Sequence, residues 1–238
     1  MTRAAPLKEA ARAGRDWLNG RLGAWAAGQF DPKMSEWVAG CDQRRTEAPL
    51  AALSALQDQP EMIASAWRGL GSLAYQMVAE LKPRRVVELG SFGGYSTCAL
   101  ALGLRDFVPG ATLDAVDTWQ GDSHTGAYTE RVLDQFQRLR RELGLMDIVR
   151  PRRMDFAAAA KVIPAGIELL HIDGWHTYAA VSHDFELYRP LLAPGAVVLF
   201  HDVASHYLGM RYFWWRLVKR FPAAAVDRSF GLGVIRIP

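Results

Sequence analysis

Val86-Val87-Glu88-Leu89-Gly90-Ser91-Phe92-Gly93-Gly94-Tyr95-Ser96 is the stretch of this chain that decides its fold. An apolar run ends at Glu88, glycines follow at positions 90, 93 and 94, and a helical pattern starts at Tyr95. The pattern predicts a strand, a tight loop where backbone approaches a ligand closely, and a helix whose free N–H groups face that loop. Such loops serve nucleotide-like ligands. The dinucleotide fingerprint G-x-G-x-x-G fits poorly, because Phe92 stands where its second glycine lets a pyrophosphate rest on the backbone. An acid at the strand end, Glu88, suits a cationic ligand better than a phosphate.

Upstream of this stretch the pattern is helical. Met62, Ile63, Ala66, Trp67, Leu70, Leu73, Ala74, Met77 and Val78 keep helical spacing, and Leu81-Lys82-Pro83 ends the helix. Shorter helices are expected over residues 10–27 and 48–56, joined by a loop near 29–33, so residues 1–60 read as an N-terminal helical arm or cap. Downstream, strands and helices alternate, the pattern of a mainly parallel sheet. Strands are expected at 86–89, 112–116, 148–150, 167–172, 196–200, 224–228 and 232–237. Pro151 in the third of these would be awkward in a sheet centre but is tolerable at an edge. Residues 61–238 thus form an α/β domain with a doubly wound sheet.

The segment Glu88-Leu-Gly-x-x-x-Gly94-Tyr-Ser96 resembles motif I of class I S-adenosylmethionine (AdoMet) methyltransferases, most closely their catechol O-methyltransferase-like branch. The run His171-Ile-Asp173-Gly-x-His176-x-Tyr178, then Asp184, Leu-Leu-x-Pro-Gly and His201-Asp202, is similar to the bacterial methyltransferase-24 type. Residues 117–128 look like the glycan-associated branch of that type. The resemblance covers about Met62 to Ile237. It implies a Rossmann-like, seven-stranded, mostly parallel sheet with a C-terminal antiparallel hairpin turning around Ser229-Phe230-Gly231.

In open α/β sheets ligands bind beyond the C-terminal strand ends. Glu88 and the loop bearing Gly90, Ser91 and Gly94, with Tyr95 and Ser96 at the helix start, are expected to hold the methionine portion of AdoMet. Asp117, closing the second strand, can accept from both ribose hydroxyls; it also suits a helix cap or turn. Asp155 suits the adenine amino group or an N-cap equally, and Trp119 either covers the adenine or packs. Asp122 and His124 are expected near the cofactor or substrate mouth, with a plain polar surface loop the alternative, and Trp175 is expected at the substrate. Asp184 falls on the water-facing side of its helix by the spacing of Tyr178, Val181 and Phe185, a structural position.

Asp173, His176, His201 and Asp202 end two neighbouring strands and so converge beside the cofactor. The resemblance puts Asp173, His201 and Asp202 on the metal-ligand positions of the catechol-type enzymes, and His176 where that family carries a lysine base. His for Asp, Asp for Asn and His for Lys are departures from its pattern. Oxygen-only sets suit Mg²⁺, whereas an imidazole moves preference toward Mn²⁺, Zn²⁺ or Fe²⁺; a divalent metal, Mg²⁺ or Mn²⁺, is the expectation. The implied reaction is metal-assisted methyl transfer from AdoMet to a hydroxyl of a sugar, glycan or other small acceptor, with Asp173 and His176 catalytic.

Composition narrows the alternatives. Of 238 residues half are hydrophobic, yet no apolar stretch approaches the ~20 residues of a membrane span. The first thirty residues interleave charge with Ala, Leu and Trp and have no h-region, so a cytoplasmic protein is expected. Two cysteines, Cys41 and Cys98, make no disulfide framework. Net charge is +3, and the arginines from Arg131 to Arg153 have no interleaved aromatics on their basic face, which disfavours nucleic acid. A nucleic-acid N-methyltransferase would also show Asp/Asn-Pro-Pro-Tyr where this chain has Asp173-Gly-Trp-His176. A binding subunit without turnover, or an oxygenase resembling cephalosporin hydroxylase, stays open, and the helical arm makes a homodimer plausible.

Overall fold

A computed structural model describes residues 20, 23, 26–44, 47–122 and 126–238, the side chain of Asp122 excepted. The expected helix over 10–27 lies largely outside them. A first helix, α1 (Pro32–Gln43), was not expected from periodicity, although its start is written in the chain: Asp31 accepts from Met34 N and Pro32 opens the first turn. A 3-10 turn (Ala48–Leu50) leads into α2 (Ala51–Gln57). The helix expected from Met62 begins later. Ser65 accepts from Trp67 N and starts a 3-10 turn (Ala66–Leu70), and only at Gly71 does α3 (Gly71–Leu81) take α geometry. Lys82, at φ 48°, closes α3 in left-handed conformation ahead of Pro83.

The alternating part follows the expected order. β1 (Arg85–Leu89) leads to α4 (Tyr95–Phe107), and β2 (Thr112–Asp117) to a two-stranded ribbon, β3 (Gly121–Asp122) with β4 (Gly126–Ala127). Then come α5 (Glu130–Glu142), β5 (Val149–Arg153), α6 (Phe156–Ala160), β6 (Ile167–Ile172) and α7 (Tyr178–Tyr188). β7 (Leu192–His201), α8 (Leu208–Leu217), β8 (Ala223–Val226) and β9 (Leu232–Arg236) complete the chain. The sheet order is β5-β2-β1-β6-β7-β9-β8, with β9 antiparallel to both neighbours. β5 is the edge strand, where the missing N–H of Pro151 is tolerated.

Two apolar layers bury the sheet. On one side α3 and α4 carry Leu73, Met77, Leu100 and Leu104 against Val86, Leu113 and Leu169, and Val38 of α1 and Leu53 of α2 join the same core. On the other, Phe185, Phe213 and Trp214 of α7 and α8 meet Leu170, Val198 and Phe200. Helices on both faces explain why the middles of β1, β6 and β7 are apolar on both sides of the strand. The chain reverses direction across the sheet beside β1, the place where such folds open a crevice at the carboxyl ends of the strands. Several arginines of the arginine-rich segment are paired: Arg138 binds Glu61 and Glu142, Arg152 binds buried Asp114, Arg153 binds Glu130, and Arg140 donates to Val149 O. Among the described residues no helix is long and apolar enough to cross a membrane.

Candidate active site

The crevice is a cavity of about 690 Å³. Its floor is the loop after β1. Gly90 has φ +90°, and a Cβ there would lie 2.1 Å from the Asp173 carbonyl oxygen, so only glycine lets this loop cross the end of β6. Gly94, at φ +88°, starts α4, and a Cβ there would meet Phe136 at 2.8 Å. The loop is fastened to the end of β2: Phe92 N donates to Asp117 Oδ2 at 2.9 Å, and Trp119 Nε1 donates to Phe92 O at 2.8 Å. The expected residues Gly90, Ser91, Gly94, Tyr95, Ser96, Asp117 and Asp155 all line the cavity. Ser91 Oγ is buried with no partner among the described residues, a hydroxyl left for a ligand.

Two expected cofactor contacts are placed elsewhere. Glu88 is fully buried and absent from the cavity wall; its Oε1 faces His171 Nδ1 at 3.0 Å, and Thr97 Oγ1 donates to Oε2. As the fourth residue of a strand covered on both faces, it points into the sheet's packing rather than out of its end. Trp119 is likewise a core residue, its ring 4.9 Å from that of Phe136. Asp155 caps α6, accepting from Ala158 N at 2.7 Å, while still touching the cavity. Asp117 accepts from Trp119 N at 2.7 Å as well as from Phe92, and burial pushes its carboxyl upward against these bonds.

Register brings the reactive groups together. Parallel pairing sets Ile172 opposite Phe200, so Asp173 emerges beside His201 and Asp202. His201 Nδ1 lies 3.3 Å from Asp173 Oδ1 and 3.1 Å from Asp202 Oδ2; His176 Nε2 lies 2.8 Å from Asp202 Oδ2 and 3.7 Å from Asp173 Oδ1. Asp202 adopts φ 64°, a left-handed position that aims its carboxylate back at the cluster. The turn behind it is held by Ser205 Oγ donating to Asp202 O at 2.7 Å. Burial works against charge on all four groups, but the mutual attraction prevails. His201 and hydrogen bonds from both histidines hold Asp173 well below the ordinary carboxylate range, and Asp202 is lowered in the same way. Against its own burial, His176 is raised to about 9 by bonds to Asp173 and Asp202. His201 is raised to about 10, chiefly by the charge of Asp173. In the protein alone His176 therefore carries its proton at neutral pH, unlike a histidine near its usual value of ~6.5.

Three neighbours of the site have roles that the sequence did not assign them; Trp67 was expected only as a wall of the acceptor pocket, and it does line the cavity. Trp67 Nε1 donates to Asp173 Oδ2 at 3.1 Å, and its ring packs edge-on to His171 and 5.4 Å from His201. Gln135 lies buried within the apolar stripe of α5; it accepts from Ile63 N at 2.6 Å and donates to Gly93 O at 3.4 Å, tying residues 61–65 to the glycine loop. A glutamine inside an apolar stripe was the available signal. Asp184 is the third, and it corrects the water-facing expectation: it is 7% exposed and lines the cavity, because α7 tilts that side onto Gly174 and Phe156. Burial pushes its carboxyl up to about 6. Trp175, 43% exposed, stands at the cavity wall. Phe213 and Trp214 belong to the buried core. His124 lies outside the described residues, as does the side chain of Asp122.

Residues 87–203 match the sequence profile of the methyltransferase-24 family, whose description is a methyltransferase domain. This segment is a methyltransferase domain. The protein y4gI of Sinorhizobium fredii, described as uncharacterised, is 35% identical over 174 residues, which span 72% of this chain and 19% of that protein. The chain therefore spans about a fifth of that relative's length. The methyltransferase PaMTH1 of Podospora anserina, solved with S-adenosylhomocysteine, superposes with a TM-score of 0.62 at 16% identity, over 88% of this chain and 97% of that one. The O-methyltransferase TomG of Streptomyces achromogenes, involved in tomaymycin synthesis and solved with AdoMet, gives 0.58 at 18% identity, over 86% and 97%. At these identities the two structures speak for the fold alone.

Proposed function

We propose that this methyltransferase domain moves the methyl group of AdoMet to a hydroxyl of a small acceptor such as a sugar, with His176 taking the hydroxyl proton. The observation that carries the reading is one cavity shared by the glycine loop, Asp117 and the Asp173–His176–His201–Asp202 cluster. The bound cofactors of PaMTH1 and TomG, and the O-methyltransferase name of the latter, support the same choice of cofactor and reaction. In this placement Ser91 and Ser96 serve the methionine end, and Asp117 accepts from the ribose. Trp67 and Tyr128 give the cavity aromatic walls suited to a sugar ring or an aromatic acceptor.

The residues fit a divalent cation. One ligand atom each from Asp173, His201 and Asp202 lies within 4.8 Å of the others. With a cation bound, His201 would give up its Nδ1 proton and turn that lone pair to the ion, while Nε2, 2.8 Å from Ser229 O, would keep its proton as the donor. Such an ion supplies Lewis-acid polarisation of an acceptor oxygen and lowers its pKa. The chain's own groups do the rest. Asp202 orients His176; the neutral imidazole accepts the acceptor's proton. The oxygen forms a bond to the methyl carbon as the C–S bond breaks, and its electron pair stays on sulfur as the thioether of S-adenosylhomocysteine. Positive charge arriving beside His176, from the sulfonium above all, favours the neutral ring.

Calorimetric titration of S-adenosylhomocysteine into chelator-treated protein, then with Mg²⁺ or Mn²⁺, tests the reading. Micromolar binding supports it, and methylation of a panel of sugars and phenols then identifies the acceptor. No binding under any of these conditions defeats it.

A further inference from the structure

Asp184 sits in the second turn of α7 with its carboxylate in the cavity wall, and it makes no hydrogen bond among the described residues. Interior polar groups are nearly always paired, and an unpaired buried carboxylate is unfavourable enough to call for a partner. No residue of the mechanism above uses it. The partner can be sought in the bound cofactor, whose orientation the cavity constrains. The methyl group must reach the Asp173–His176–His201–Asp202 cluster, and the ribose must reach Asp117 at the end of β2. The flat base is then left with the remaining walls: Phe156 and Ala157 after β5, and Gly174, Ala180 and Asp184 after β6. Gly174 keeps this place open. A Cβ there would lie 2.7 Å from the Phe156 ring and 3.3 Å from Asp184 Oδ2, so the carboxylate stands directly behind that glycine. Asp155, the other acid at this end, already has an oxygen committed to Ala158 N.

Adenine presents one hydrogen-donating group on its base, the exocyclic 6-amino group; its ring nitrogens N1, N3 and N7 only accept. A carboxylate is the complementary acceptor. We infer that Asp184 accepts a hydrogen bond from the 6-amino group of the cofactor's adenine and so selects adenine over a 6-oxopurine. This rests on AdoMet being the cofactor.

The test compares S-adenosylhomocysteine with S-inosylhomocysteine, which differs by a 6-oxo group and a proton on N1, in calorimetric titrations at pH 8. The wild-type protein should prefer the adenosyl ligand by roughly tenfold or more, the scale of a hydrogen bond to a charged group. Asp184→Asn should compress or reverse that preference, because the amide offers an N–H to the 6-oxo group. Asp184→Ala should weaken only the adenosyl ligand. A wild-type ratio near one overturns the inference without any variant, and so does an undiminished ratio in folded Asp184→Asn. Failure of the wild-type protein to bind either ligand would instead overturn the cofactor assignment, and this inference with it.

Discussion

His201 Nε2 lies 2.8 Å from the carbonyl oxygen of Ser229, across the hairpin that joins β8 to β9. That contact fixes the ring so that Nδ1 faces Asp173 and Asp202. Ser229 and Phe230 hold left-handed backbone (φ 50° and 66°), and Ala204 N donates to Phe230 O at 2.9 Å. The C-terminal hairpin, far from the glycine loop in sequence, therefore orients one proposed ligand. Replacing that ligand should be felt in metal choice. His201→Asp gives an oxygen-only set, and its preference for Mn²⁺ over Mg²⁺ should fall by roughly tenfold or more relative to the wild type. Calorimetric titration with the two cations measures the ratio; an unchanged ratio would count against His201 as a ligand.

His176 is the proposed proton acceptor, held 2.8 Å from Asp202 and stacked on Tyr207 at 4.5 Å. His176→Ala should lower turnover by about 10²–10⁴-fold while leaving S-adenosylhomocysteine affinity within a few-fold. Methyl transfer at the wild-type rate across pH 6–9 by this variant would remove the base assignment.

Trp67 presents the indole N–H that holds Asp173 Oδ2 at 3.1 Å. Trp67→Phe keeps an aromatic body but removes the donor, and a hydrogen bond to a buried carboxylate is worth about 1.5–3 kcal/mol. Cation affinity should drop about tenfold or more with little change for S-adenosylhomocysteine. Equal losses for both would point to a packing role only.

Gly90 tolerates no side chain, with the Asp173 carbonyl 2.1 Å from the Cβ position and φ at +90°. Gly90→Ala should destabilise the fold by at least about 2 kcal/mol, because neither backbone can yield without moving a strand end. Urea unfolding followed by circular dichroism gives the figure. A loss below 0.5 kcal/mol on the scale of ordinary surface changes would mean the loop relaxes away from β6.

Asp184 makes stability depend on pH with an unusual sign. Its folded value is raised by burial to about 6 from 3.8, so ionising it opposes folding. The penalty begins as pH rises through the unfolded value and is complete above about 6, where it amounts to roughly 2–3 kcal/mol. Asp184→Asn should therefore melt higher than the wild type at pH 8 and close to it near pH 4. The same melting temperature at pH 8 would show that the carboxylate is not disfavoured there.

The sequence by itself determined the alternating order of the main-sheet strands and the helices between them, the tolerance of Pro151 only at an edge, and the glycine loop, though neither α1 nor the β3–β4 ribbon. These follow from local rules: period, turn chemistry, and the sites where proline or a side chain cannot sit. It also put Asp173, His201 and Asp202 together, because residues just past the ends of adjacent parallel strands must lie side by side. Only the tertiary structure decided what surrounds them. Glu88 turned to His171 rather than to the cavity, Trp119 into the core, and Asp184 out of the water and into the wall. Each depends on how one element tilts against another, which a period of 3.6 or 2 does not encode. The raised pKa values of His176 and His201 belong to the same class. They come from four charges drawn together out of water by strands and loops nearly thirty residues apart in the chain.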